Sequence, residues 1–153
     1  MKKAKKISIV VSVYNEEAVL GKFLKAFDKM KATITWDYEV IFVNDGSCDN
    51  SLEILQNAAQ KEPYIKIISF SRNFGHEAAM IAGIDYAVGD GVICMDADLQ
   101  HPPYLLESMY QALKYEDYDC CAGKRIDRIG ENKLRNFLSH SFYKVIQYFT
   151  KMD

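Results

Sequence analysis

The residues best equipped for chemistry are Asp96-Ala97-Asp98. In extended backbone, residues two apart point the same way. Both carboxylates, with Gln100 two residues further on, can therefore converge on one cation. A hard divalent ion takes oxygen ligands, and Mg²⁺ combines one or two carboxylates with phosphate oxygens. An isolated Asp-x-Asp is a weak signal and more often a solvated turn or a helix cap. Its position directly after the apolar run Val92-Ile-Cys-Met95 favours a metal site, because a buried strand would deliver both acids to its end. Asp45-Gly46-Ser47 offers a carboxylate acceptor for a base N–H or ribose hydroxyl, a glycine for close approach and a hydroxyl, although the same triplet is ordinary turn chemistry. Arg72, Lys124, Arg125 and Arg128 add positive charge suited to phosphate oxygens, or a solvated loop. His76 either meets phosphate or substrate or, with Glu77, starts a helix.

Strand and helix patterns alternate along the chain and would position these groups. β-rich runs cover Ile7–Val13, Tyr38–Val43, Ile65–Phe70, Gly91–Met95 and Tyr118–Ala122. Helical spacing covers Glu16–Met30, a segment around Leu52, Ile54 and Leu55, Glu77–Val88, a segment opened by Pro102-Pro103 and running to about Tyr115, and Lys133–Thr150. Asn50 and Glu53 have the spacing of a capping box at the start of the second helix. This alternation predicts an α/β fold with a mostly parallel sheet covered on both faces. In such sheets ligands bind beyond the carboxyl ends of the strands. All five predicted strands end in polar or charged residues, and acids are costly to bury without partners. Their shared edge is the expected site.

A length of 153 residues suits a single domain, and 49% hydrophobic against 26% charged residues argues against disorder. A formal net charge of -2 gives no sign of a nucleic-acid partner. Cys48, Cys94, Cys120 and Cys121 form no CxxC pair and no zinc-ligand spacing, and read as reduced thiols. No apolar run reaches the roughly 18 residues of a membrane span, so a cytoplasmic chain is expected. The phosphate signatures G-x-G-x-x-G and G-x-x-x-x-G-K-[ST] are absent from the sequence, which disfavours a dinucleotide dehydrogenase and a P-loop NTPase.

Four segments, Ile9–Glu16, Val43–Asp49, Arg72–Ala79 and Met95–Pro103, resemble the GT-A-fold family 2 glycosyltransferases in order and spacing. In particular they resemble the dolichol-phosphate mannose synthase-like and bacterial polyprenyl-phosphate glycosyltransferase branch. The resemblance spans nearly the whole chain. It implies a single GT-A catalytic domain over 1–153, a Rossmann-like α/β/α sandwich. It further implies that Tyr14, Glu16, Asp45, Ser47 and Ala97 meet a nucleoside diphosphate sugar, that Asp96, Asp98 and Gln100 hold Mg²⁺ or Mn²⁺ on its diphosphate, and that Arg125 and Arg135 meet phosphates. The implied reaction is inverting transfer of a sugar, from a UDP- or GDP-linked donor, to a polyprenyl or dolichyl phosphate. Ser12 stands where the family often has proline, and Asn44 where it often has a first aspartate.

Members of that family continue beyond an equivalent of Asp153 with an acceptor-side segment, and many with membrane helices. The chain is therefore read as the N-terminal part of a longer protein at the cytoplasmic face of a membrane, with the catalytic base unassigned and open to a residue beyond 153. Leu134, Phe137, Leu138, Phe142, Val145, Tyr148 and Phe149 give helix 133–150 a broad apolar face. That face suits a membrane interface or packing on the sheet or on a second copy in a homo-oligomer. Three alternatives are a same-fold glycosyltransferase with a saccharide hydroxyl acceptor, a non-catalytic nucleotide- or partner-binding module, and a phosphatase-like phosphotransferase. The last normally places its aspartates after the first strand, whereas here they follow the fourth.

Overall fold

A computed structural model describes residues 6–32, 34–97, 105–115 and 121. Along the chain these form β1 (Lys6–Val13), α1 (Glu17–Lys31), β2 (Asp37–Asn44), α2 (Ser51–Lys61), β3 (Ile65–Ser69), α3 (His76–Tyr86), β4 (Gly91–Asp96) and α4 (Leu105–Tyr115). The four strands make one parallel sheet in the order β3-β2-β1-β4. The sheet is the expected one. Of the predicted fifth strand at 118–122 only Cys121 is described, and the helix start at Pro102-Pro103 and the predicted helix 133–150 lie outside the described residues.

β1 and β2 are central, which explains their sequences. Ile7 to Val11 and Val40 to Val43 are buried on both faces, so they are rich in β-branched residues and, apart from the buried Ser8, do not alternate with polar ones. On one face Phe23 and Phe27 of α1, Leu55 of α2, and Leu106 and Tyr110 of α4 pack with Ile9, Val11, Phe42, Ile93 and Met95. Phe23 meets Phe42 edge-on at 6.0 Å, and Trp36 stacks on Tyr110 at 4.7 Å while its indole N–H donates to Glu107 at 2.8 Å. The other face carries α3, with Ala79 against Val10, Ile41 and Val43. Right-handed crossovers require this split. The chain moves from β1 outward to β3 with its helices on one face, then returns past β1 to β4 with α3 on the other.

Gly83 sets how closely α3 approaches. A Cβ there would lie 2.2 Å from Val10 Cγ1. Ala79 and Gly83, one turn apart, therefore make a smooth stripe on which the helix rests directly on the strands.

At the amino end of the sheet, a buried carboxylate ties three segments together. Glu39 is 2% exposed and pairs with Lys66 at 2.7 Å and Lys6 at 3.3 Å. It accepts from the Ser8 hydroxyl at 2.6 Å and from the Val88 amide at 3.0 Å. The Ser8 oxygen in turn accepts from the Gly89 amide at 2.9 Å. Burial pushes the Glu39 carboxyl up, but Lys66, Ser8, the Val88 amide and Lys6 together outweigh it and bring it down to about 2. The capping box expected from Asn50 and Glu53 is not formed: α2 has no side-chain cap from Asn50. Asn50 instead donates its side-chain amide to Glu17 at 2.9 Å, because Glu17 at the start of α1 stands beside it.

Candidate functional site

The strand order reverses between β1 and β4: β1 leads to β2 on one side, and β4 returns on the other. This reversal opens a crevice beyond the carboxyl ends of those two strands. Ser12 of β1 and Asp96 of β4 are register partners there, on the face that carries α3. The Ser12 hydroxyl donates to Asp96 Oδ1 at 3.1 Å and lies 3.0 Å from His76 Nδ1 at the start of α3. His76 Nδ1 is 3.7 Å from the same carboxylate oxygen. Among the described residues, Asp96 makes all these contacts through Oδ1. β4 ends at Asp96, and Ala97 is a buried turn residue. Asp98 and Gln100, the other expected metal ligands, lie outside the described residues, as do Arg125 and Arg135.

The neighbouring loops are locked to one another. Asp45, 3% exposed, accepts from the Phe74 amide at 2.7 Å and the Gly75 amide at 3.0 Å. Gly46 has φ +67, and a Cβ on it would sit 2.3 Å from the Arg72 carbonyl carbon. An L side chain there is both strained and blocked. Together Asp45 and Gly46 hold the loop after β3 against the loop after β2. Asn44, buried in the same turn, donates to the Ser69 hydroxyl at 3.0 Å and accepts from the Ser47 amide at 3.2 Å. An amide side chain can do both, which an ionised aspartate cannot.

A second interlock joins the loops after β1 and β2. Asn15 adopts φ 54, a region that asparagine tolerates. Its amide donates to Ser47 Oγ at 3.0 Å, and its side-chain oxygen accepts from the Cys48 amide at 2.9 Å. The Glu16 amide donates to Ser51 Oγ at 2.9 Å, and the Glu17 amide to Asp49 at 3.0 Å. Burial pushes the Asp49 carboxyl up, but donors from Ser51 and Glu17 outweigh it and hold it below its ordinary range. Tyr14 projects from this wall, about half exposed.

The structure thus gathers Ser12, Tyr14, Asp45 and His76, with Asn73, around a cleft of about 120 Å³. Ser47 and Glu16 are placed in its supporting wall. Arg72, a candidate phosphate ligand, lies over the Phe74 ring at 4.8 Å. Sequence reasoning missed Ser12 as part of the site; the signal was a lone hydroxyl interrupting the apolar end of β1. A larger cavity of about 340 Å³ opens between α1 and α2, lined by Leu24, Phe27, Phe42, Ile54 and Tyr64 among others. Its lining takes no residue from the carboxyl ends of the strands, whereas the smaller cleft is lined by Ser12 and Val13 at the end of β1 and by Asp45 just after β2. The smaller cleft is the better candidate, because convergent polar groups, not volume, make a reactive site.

The chemistry of the donor set fits a hard cation in part. Asp96 offers a carboxylate at a strand end, with Oδ2 not engaged by any described residue. No group of three or more His, Cys, Asp or Glu side chains able to hold a metal ion occurs among the described residues. Mg²⁺ sites of this kind draw their remaining ligands from substrate phosphates.

Comparison with known proteins bears on the same segments. The family model described as glycosyl transferase family 2 matches residues 8–153. An uncharacterized glycosyltransferase of Bacillus subtilis, YkcC, is 42% identical over 146 residues, covering 95% of this chain and 45% of that protein. The bactoprenol glucosyl transferase of Shigella phage SfV is 39% identical over 144 residues, covering 92% of this chain and 45% of that protein. This chain therefore spans less than half the length of these curated relatives. Among solved structures, a mannosyltransferase from Pyrobaculum calidifontis, in complex with GDP-Man and Mn²⁺, aligns with a TM-score of 0.62 over 81% of this chain and 37% of that one. At 18% identity that likeness shows the shared GT-A fold.

Proposed function

The chain belongs to glycosyl transferase family 2, and from that premise we propose that it is the donor-binding part of an inverting, metal-dependent glycosyltransferase acting on a polyprenyl phosphate. The observation that carries this reading is Asp96 at the reversal of strand order, one oxygen held by Ser12 at 3.1 Å. Its relatives include a bactoprenol glucosyl transferase, which supports a lipid phosphate acceptor. The fold neighbour in complex with GDP-Man and Mn²⁺ supports a nucleoside diphosphate sugar and a divalent cation.

In the proposed reaction an oxygen of the acceptor phosphate attacks C1 of the donor sugar from the face opposite the diphosphate. The bond from C1 to the diphosphate oxygen breaks, its electron pair leaves with the diphosphate, and C1 inverts. A phosphate acceptor is already anionic near neutral pH, so little general-base assistance is needed. Asp96, Asp98 and Gln100 would hold Mg²⁺ or Mn²⁺, which when bound supplies positive charge to the leaving diphosphate. Arg125 and Arg135 would add charge on the same side. Tyr14 and Asp45 would line the nucleoside, Ser47, Glu16 and Ala97 supporting it. The segment 133–150, whose sequence predicts a helix, would meet the membrane interface or a second copy. No helix among the described residues is long and apolar enough to cross a membrane.

Calorimetric titration of UDP-glucose and GDP-mannose in the presence of Mn²⁺ tests the reading. One donor is expected to bind, and Asp96→Asn to weaken it at least tenfold, about 1.4 kcal/mol. Unchanged affinity in the variant would remove Asp96 from the site.

A further inference from the structure

The three-residue contact at the crevice has a direction. Asp96, as an ionised carboxylate, only accepts hydrogen bonds, whereas a serine hydroxyl has one proton to give and lone pairs to receive. Ser12 Oγ lies 3.1 Å from Asp96 Oδ1 and 3.0 Å from His76 Nδ1. If the hydroxyl gives its proton to the carboxylate, it must accept from the imidazole, so Nδ1 must carry a hydrogen. The opposite tautomer, with the hydrogen on Nε2, sets two lone pairs facing each other at about 3 Å on one side of Ser12 or the other. With both contacts made at once, neutral His76 takes the Nδ1–H form, with Nε2 left as an acceptor.

We propose that Ser12 and His76 form a directed hydrogen-bond relay, His76 to Ser12 to Asp96, that positions the Asp96 carboxylate by one oxygen and leaves the other for a ligand. Ser12 and His76 are positioning residues in this account. Neither need touch the donor. The local structure supports the arrangement. Ser12 and Asp96 are register partners on adjacent strands, so the backbone ladder fixes their spacing. His76 is the first residue of α3, whose backbone is seated on Val10 and Val43 through Gly83, and its side chain is about half exposed. At the other end of β1, Ser8 does the same for Glu39, donating at 2.6 Å while accepting from the Gly89 amide. A hydroxyl placed between a donor and a carboxylate is thus used twice on one face of one strand. The ligand end of the proposal, though not the relay itself, rests on the reading of Asp96 as a cation ligand.

Two measurements test it. The first is the long-range ¹H–¹⁵N spectrum of the histidine rings at pH 8.5, where an ordinary imidazole is neutral, with His76 assigned by the loss of its signals in His76→Gln. The relay predicts a protonated Nδ1 and an unprotonated Nε2 in the wild-type protein, reverting to a proton on Nε2 in Ser12→Ala. A proton on Nε2 in the wild-type protein overturns it. The second is the affinity for Mn²⁺ with UDP or GDP, read from the electron paramagnetic resonance of free Mn²⁺. Ser12→Ala is expected to weaken it three- to tenfold, and Ser12→Thr, which keeps the hydroxyl, to restore it to within about twofold. Wild-type binding that Ser12→Ala leaves unchanged overturns the positioning role alone. A wild-type protein that binds no Mn²⁺ with either nucleotide overturns the proposed function, and with it the ligand end of the relay.

Discussion

At Asp45, two backbone amides from one loop converge on a single carboxylate, at 2.7 and 3.0 Å, in a site 3% exposed. Asparagine in its place has one acceptor oxygen, so one of the two part-buried amides would lose its partner and face an NH₂ group instead. Asp45→Asn should therefore cost on the order of 1–3 kcal/mol and speed hydrogen exchange at Phe74 or Gly75, as amide exchange with denaturant titration would show. Exchange rates unchanged at both amides would mean that the loop is held by something else. Glu39 makes a second prediction, through pH. Its folded value, about 2, lies below its ordinary 4.5. Its contribution is thus complete above about 4.5 and is lost as pH falls toward 2. At 1.36 kcal/mol per pH unit the whole effect is on the order of 3 kcal/mol. Urea melts at pH 7 and pH 3 should show wild-type stability falling with acid, and Glu39→Gln should be less stable at pH 7 and show a flatter acid limb. An equally steep limb in the variant would assign the acid sensitivity to other carboxylates. Neither network was legible from the sequence. Their partners lie about thirty to fifty residues apart and carry no local pattern. A buried, fully paired acid looks in a sequence like any surface acid.

At the scale of elements, helix and strand periods were legible because apolar spacing alone fixes them. Leu20, Phe23 and Phe27 mark the inner face of α1, and β1 (interrupted by Ser8 and Ser12) and β2 show the apolar, β-rich stretches of strands covered twice. The cap of α2 was not, because Asn50 and Glu53 match the motif's spacing while Glu17 competes for Asn50 in space. Two helical glycines separate propensity from packing. Glycine to alanine in a helix interior ordinarily gains up to about 1 kcal/mol. At Gly21, where an added Cβ meets nothing within 4 Å, Gly21→Ala should raise Tm. At Gly83 the new methyl would lie 2.2 Å from Val10 Cγ1, and overpacking costs typically 1–3 kcal/mol. That cost exceeds the propensity gain, so Gly83→Ala should lower Tm by several degrees in the same thermal melt. A rise in both would mean that α3 is free to lift from the sheet.

For the whole molecule, the order β3-β2-β1-β4 decides where chemistry can occur. Among the described strands it places the reversal of direction between β1 and β4, so the residues at those two ends, Ser12 and Asp96, face one crevice. The location of this edge was legible from the polar strand endings, since alternating strands and helices predict a parallel sheet and a parallel sheet predicts its ligand edge. The division of labour at the edge was not legible. Asp45, expected at the nucleoside, spends two of its acceptor positions on the protein's own loop, and Ser12 acquires a role that only the register of β1 against β4 reveals. The proposed function requires Asp96 to hold the cation of a nucleoside diphosphate at this crevice. The most direct measurement is anomalous diffraction at the manganese edge from crystals grown with Mn²⁺ and UDP or GDP. The account predicts a peak at bonding distance, about 2 Å, from an Asp96 oxygen, with the diphosphate bound to the same ion. A peak and nucleotide located elsewhere, for example in the cavity between α1 and α2, with Asp96 still bonded only to Ser12, would contradict it.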